Sequence, residues 1–114
     1  MLEGGISEVF PNCLTEIHWH RETEHYFVFS GRAIFTVGDQ EMDVNGSEDP
    51  TLIIIPSNVP HKIYNPYDVP VKFYYYFPGG ERIFKDVTYF FPGGGKREPH
   101  EVCLKSYQES LSEY

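Results

Sequence analysis

Along most of this chain apolar and polar residues trade places every second position, the period of an extended strand rather than of a helix. Between residues 15 and 20, Ile17 and Trp19 interleave with His18 and His20, so an extended segment turns both histidines to one face. Residues 21–23 form a short polar break. Residues 24–29 then read as a strong strand, ended by Ser30-Gly31. Residues 33–37 and 40–44 flank Gly38-Asp39 and predict a hairpin. Residues 52–55 are a β-branched, buried strand stopped by Pro56, and residues 61–64 and 71–77 predict two more. A weaker strand is expected at 7–10. Phe77-Pro78-Gly79-Gly80 returns as Phe91-Pro92-Gly93-Gly94, which reads as two strands terminated alike rather than as a structural repeat. The one helix candidate spans 102–114, where Leu104, Tyr107 and Leu111 fall on a single helical face.

Short strands with regular Gly/Pro punctuation predict an all-β fold, an antiparallel β-barrel or jelly roll with at most one short C-terminal helix. With 114 residues the chain suits one domain, 1–114, with a core over 15–91 and a tail or helix over 100–114. A hydrophobic fraction of 40%, with aromatic residues making up 17% of the chain, excludes a disordered polypeptide. The net charge of −8 repels phosphate backbones and anionic lipid, so neither nucleic acid nor membrane is an expected partner. The longest apolar runs are strand-sized, far short of the ~20 residues of a spanning helix. No basic, apolar leader opens the sequence, and Cys13 and Cys103 read as free thiols, which together predict a cytoplasmic protein.

One set of polar residues stands apart from this patterning. His18 and His20 lie side by side on a strand face. Glu24 follows a short break, where the next strand can bring its carboxylate back toward them. His61 opens a later strand, after a turn containing Asn58 and two prolines. Three imidazoles and one carboxylate suit a divalent transition metal (Fe, Mn, Zn, Ni, Co or Cu) better than calcium, which wants more oxygens. Four protein ligands on an octahedral ion leave two positions open for water or substrate.

These residues resemble the two motifs of the cupin superfamily. Residues 18–31 carry His-x-His, three residues, Glu, six residues and Gly; residues 56–65 carry Pro, then His61, then Asn65. The resemblance implies a small single-domain cupin, a double-stranded β-helix with His18, His20, Glu24 and His61 as metal ligands. Two departures concern turns: Asn12 and Asn58 stand where the motifs often have glycine, and Asn tolerates positive φ better than other non-glycine residues. A third is Pro50, which replaces the glycine opening the second motif.

The superfamily spans many chemistries, so the fold alone does not name a reaction. The expectation is a metal-dependent enzyme acting on a small polar organic molecule, of dioxygenase, isomerase, lyase or decarboxylase type. The alternative is a non-catalytic metal-containing module that binds or senses a small molecule. Tyr26, Tyr64 and Tyr75 are candidate pocket residues, while Arg21 and Lys62 are the cations nearest the ligands in sequence. His25 and His100 read as surface residues. Only seventeen residues precede His18, which predicts a barrel that lacks its first strand or borrows one, and hence a homodimer.

Overall fold

The computed structural model describes residues 3–78, 89–92 and 104–110, the last as backbone only. It contains β1 (Glu3–Val9), β2 (Cys13–Leu14), β3 (Glu24–Ser30), β4 (Arg32–Val37), β5 (Gln40–Asn45), β6 (Thr51–Ile55), β7 (His61–Asn65), β8 (Val71–Phe77) and β9 (Leu104–Ser110). The strands form two antiparallel sheets, one ordered β6-β3-β8-β1-β9 and the other β2-β7-β4-β5. Among the described residues there is no helix, and none long and apolar enough to cross a membrane. The jelly-roll expectation holds.

Alternation along each strand sets which side chains meet between the sheets. Tyr26 and Val28 of β3, Ile53 and Ile55 of β6, and Val71, Phe73, Tyr75 and Phe77 of β8 are buried. Ala33, Phe35, Val44 and Ile63 of the second sheet meet them in one cluster. Burying apolar side chains at roughly 1.5–3 kcal/mol each supplies the main driving force. The hairpin expected at Gly38-Asp39 forms as β4–β5, with Val37 opposite Gln40 and Gly38 at φ 63°. Gly31 sits at φ 78° where a Cβ would meet the Pro70 carbonyl oxygen, so this turn accepts only glycine.

Three expectations need correction. Residues 104–110 are not helical: they form β9, antiparallel to β1, with Val9 opposite Leu104 and Glu3 opposite Ser110. The spacing of Leu104 and Tyr107 suits a helix face, but the free hydrogen-bonding edge of β1 rewards extension more than an isolated turn of helix does. Residues 102–103 and 111–114 lie outside the described ones. Nor does the barrel lack a first strand. β1 pairs with β8 along its whole length, from Glu3 opposite Phe77 to Val9 opposite Val71. Its start at Glu3 rather than Ser7 follows from Gly4, whose missing Cβ lets β8 approach: an added Cβ would strike the Tyr75 carbonyl oxygen. Finally, among the described residues, 15–20 form no continuous strand: His18 bridges His61, Trp19 bridges Phe90, and the Thr15 N–H donates to the Ile63 carbonyl at 2.9 Å.

Candidate metal centre

Two turns deliver the histidines. Pro56 stops β6, and the Val59 N–H donates to the Pro56 carbonyl at 3.3 Å. Asn58 takes φ 63° at the third position of that turn, the conformation for which asparagine replaces glycine most readily. The same Asn58 donates its N–H to the His20 carbonyl at 2.8 Å, tying the turn to the other motif. His18 and His61 then exchange both backbone hydrogen bonds, at 3.1 and 2.9 Å. Glu24 enters from the start of β3 and is buried, on the same inward face as Tyr26 and Val28. Asn65 fixes the far end of β7. Its buried amide donates to the carbonyls of Val9 and Val69 at 3.0 and 2.8 Å.

The three imidazoles converge, with one ligand atom from each of His18, His20 and His61 lying within 4.8 Å of the others. Glu24 Oε1 lies 3.0 Å from His20 Nε2 and 3.7 Å from His61 Nε2. The three histidines therefore form one cluster, and Glu24 adjoins it on the side of His20 and His61. A common device orients the rings. Each Nδ1 sits 2.9 Å from a backbone carbonyl two residues away: Glu16 for His18, Glu22 for His20 and Val59 for His61. A carbonyl can only accept, so Nδ1–H donates in all three and the neutral ring presents its Nε2 lone pair. His61 Nε2 is buried and has no hydrogen-bond partner. A buried polar atom left unpaired costs about 1–3 kcal/mol, and a cation among these donors would satisfy it.

Electrostatics separates the three rings. Burial pushes the His61 pKa down to about 3, aided by the neighbouring His18. His18 is also lowered, mainly by burial and against its bond to the Glu16 carbonyl. For His20, burial likewise favours the neutral ring, but the Glu24 carboxylate and the Glu22 carbonyl outweigh it and the pKa is raised. Glu24 is raised by burial, partly opposed by His20. His18 and His61 are thus pushed toward the neutral form, while His20 and Glu24 hold a shared proton more tightly than either would alone in water.

The aromatic candidates divide. Tyr26 and Tyr75 are buried on inward faces, with the Tyr26 ring 6.3 Å from His61. Burial holds the Tyr26 phenol well above its ordinary range, so it keeps its proton. Tyr64 does not join them. Counting from His61, it falls on the outer face of β7, is 42% exposed, and lines a shallow outer groove with Lys62 and Leu14. The same alternation turns Lys62 away from the centre, and Arg21 is exposed, so neither cation stands at the site. His25 faces outward against the Tyr76 hydroxyl at 2.9 Å. His100 lies outside the described residues.

Sequence reasoning missed Tyr89 and Phe91. The Trp19–Phe90 bridge, with N–H to carbonyl distances of 3.0 and 2.9 Å, lays residues 89–91 across the first motif. Tyr89 contacts both His18 and His20, with ring centroids 5.4 and 5.8 Å away. Phe91 is fully buried 6.0 Å from His18, and Phe77 packs 5.9 Å from His20. The repeated Phe-Pro-Gly-Gly was the available signal, because each copy places its phenylalanine beside a different histidine.

Solved structures of this shape include the plu4264 protein of Photorhabdus luminescens, with 28% identity and a TM-score of 0.60 over 67% of this chain and 61% of that one. A predicted oxalate decarboxylase from Thermotoga maritima is 18% identical with a TM-score of 0.58, covering 64% and 62%. The DMSP lyase DddQ of Ruegeria pomeroyi is 21% identical with a TM-score of 0.64, covering 82% and 45%. The chain spans less than two thirds of the length of each. At these last two identities the likeness is one of fold. No match was found among curated proteins. The sequence profile of the cupin domain covers residues 5–77, from β1 through both histidine motifs to the end of β8, and the chain belongs to the cupin family.

Proposed function

We propose that His18, His20, His61 and Glu24 hold one divalent transition metal, and that the protein is a metal-dependent enzyme acting on a small polar organic molecule. The observation carrying this reading is the trio of Nδ1–carbonyl hydrogen bonds at 2.9 Å, which commits every Nε2 lone pair while His61 Nε2 has no other partner. When bound, the ion supplies Lewis-acid polarisation of a chelating carbonyl, carboxylate or hydroxyl oxygen. The protein's own contribution is orientation and proton control. The backbone carbonyls fix the rings, Glu24 exchanges a proton with His20, and Tyr26 stays a phenol donor on the inward face. A borderline set of three nitrogens and one oxygen fits Fe, Mn, Co, Ni, Cu or Zn.

The test is elemental analysis of protein purified without a chelating tag, followed by a substrate screen with the metal found. One equivalent of metal with turnover supports the reading. One equivalent with binding but no turnover favours the non-catalytic module, and no stoichiometric metal rejects the site.

We also propose a homodimer, on different grounds from the missing strand. The outer face across β6, β3, β8 and β1 carries Leu52, Ile54 and Phe27, which are 50%, 55% and 40% exposed. Its charged residues among those described are Glu8 and Lys72, which stand opposite each other in register. On a chain of net charge −8, this locally neutral, apolar face is where two copies approach without repulsion.

A further inference from the structure

His20 has a carboxylate at each of its two ring nitrogens. Glu24 Oε1 stands 3.0 Å from Nε2, on the side of His61, and Glu22 Oε1 stands 4.0 Å from Nδ1. The local chain dictates this arrangement. Residues 21–23 form the short break between the histidine pair and β3, with Arg21 exposed and Glu22 turned in. That turn brings the Glu22 carbonyl to 2.9 Å from Nδ1, and the side chain of the same residue follows it to the same edge of the ring. The His20 backbone is anchored at the other end, where its carbonyl accepts from the Asn58 N–H at 2.8 Å.

Hydrogen bonding does not account for where the Glu22 carboxylate lies. The side chain is 17% exposed, and Oε1 is buried without a hydrogen-bond partner. A separation of 4.0 Å is too long for a hydrogen bond, and the Nδ1–H already serves the carbonyl, so carboxylate and ring interact through charge. A buried carboxylate oxygen with no donor costs the fold stability. Among the described residues one other buried side-chain atom is unpaired in this way, His61 Nε2, and both belong to this centre. A divalent cation on three neutral imidazoles and Glu24 answers both. It satisfies His61 Nε2, and it leaves one positive charge uncompensated in a buried place. Glu22 holds the missing negative charge one ring away.

We infer that Glu22 is a positioning residue for the metal: without touching the ion, its carboxylate acts through His20, balancing the second charge of the ion and strengthening His20 Nε2 as a donor. This rests on the metal reading above and adds to it a fifth residue, drawn from the break between the histidine pair and Glu24. The inference predicts opposite responses to loss of the Glu22 charge. Metal binding weakens, while the metal-free fold is relieved of a buried, unpaired oxygen.

Cobalt(II) titrated into the metal-free full chain tests it, read by quenching of Trp19, the single tryptophan of the chain. Glu22→Gln keeps the size of the side chain and removes its charge. Cobalt affinity should fall at least about tenfold, the scale of residues that support a ligand. The urea midpoint of the metal-free variant should stay at or above that of wild type. Glu22→Asp keeps the charge but withdraws it, so its affinity should fall between the two. Glu41→Gln removes an exposed carboxylate on β5 and should leave cobalt affinity unchanged, which controls for net charge. In the cobalt-loaded protein each ligating imidazole gives one exchangeable, strongly shifted Nδ1–H proton resonance. Glu22→Gln should move one of these three and leave the other two in place. Equal cobalt affinity in wild type and Glu22→Gln overturns the inference and leaves the metal site standing. Weaker binding together with a lower urea midpoint makes Glu22 a part of the fold and overturns its action through His20. A wild-type protein that binds no cobalt rejects the metal site itself and this inference with it.

Discussion

His18 and His61 are cross-strand partners: their backbones exchange two hydrogen bonds, at 3.1 and 2.9 Å, and their rings stand 4.4 Å apart. Forty-three positions of sequence separate them. The backbone pairing at this point is thus the same pairing that assembles the site. Register there is a functional constraint, since a slip of one residue would turn one imidazole to the outside.

His61→Ala should remove most of the metal and leave the barrel folded. The ring contributes one Nε2 at the centre and little to the packing between the sheets, which rests on residues such as Phe35, Ile55 and Phe73. Loss of a ligand should cost at least about 100-fold in metal affinity, above the 10–100-fold typical of residues that merely support ligands. His25→Ala is the control, because its ring bonds Tyr76 on the outer face. Metal content and far-UV circular dichroism of both variants check the assignment; full metal in His61→Ala would remove that residue from the ligand set.

Acid should weaken metal binding through one proton rather than three. If the imidazoles shared the ordinary value of about 6.5, all would compete with the ion near that pH. His61 is lowered to about 3 and so stays neutral and ready to bind throughout mild acid, and burial moves His18 in the same direction. His20 is raised, so below its folded pKa it carries a proton that a metal must displace, and above that pKa the competition ends. Apparent affinity should therefore rise about tenfold per pH unit while His20 is protonated, then level off at a pH above His20's ordinary value. Zinc or cobalt titrations across pH measure the slope. A slope of three protons would show that the rings titrate together.

The strands and the ligands were legible because both depend on local pattern. Alternation placed β3, β4, β5, β6, β7 and β8 to within a residue or two, and His18, His20, Glu24 and His61 sat in recognisable spacings. What escaped depends on partners distant in sequence. Gly4 and Gly5 argue against a strand by propensity, yet β1 forms because glycine fits against Tyr75 and Tyr76. Leu104–Ser110 reads as a helix until β1 offers it an edge. Tyr64 is a candidate pocket phenol by sequence, but parity along β7 sends it outward. Tyr89 gave no local sign of its place, which only the Trp19–Phe90 bridge reveals.

Gly31→Ala should be strongly destabilising. Gly31 holds φ 78°, donates its N–H to Ser47 Oγ at 2.7 Å, and accepts from the Gly46 N–H at 2.8 Å. A left-handed conformation alone costs a non-glycine residue about 1–2 kcal/mol. Here the new Cβ also meets the backbone of Pro70 and Val71, which cannot rotate aside. A total loss of about 3 kcal/mol or more is expected, in the range of severe single substitutions. Urea unfolding of the two proteins reads it directly, and a midpoint equal to wild type would mean that this turn relaxes freely.

The dimer should depend on the apolar outer face and not on a borrowed first strand. Ile54 is 55% exposed on β6, with His25 opposite it in register, and Leu52 lies opposite Phe27. These side chains point away from the inward face that carries Glu24 and Tyr26, so changing them leaves the metal centre intact. A lysine at position 54 would place one added charge per copy in the contact, and two of them would face a common, poorly solvated surface. Ile54→Lys should therefore weaken association by about 2 kcal/mol or more, roughly the scale of a buried contact replaced by an unpaired charge. Its fold and metal content should match wild type. Leu52→Asp tests the same face from the neighbouring row with the opposite charge, which separates loss of apolar contact from a response to one sign of charge. Sedimentation equilibrium at micromolar to tens of micromolar concentration, about the range where such contacts populate both states, measures the shift. A wild-type protein that stays monomeric across that range, or variants that dimerise as well as wild type, would assign this face to something other than a second copy.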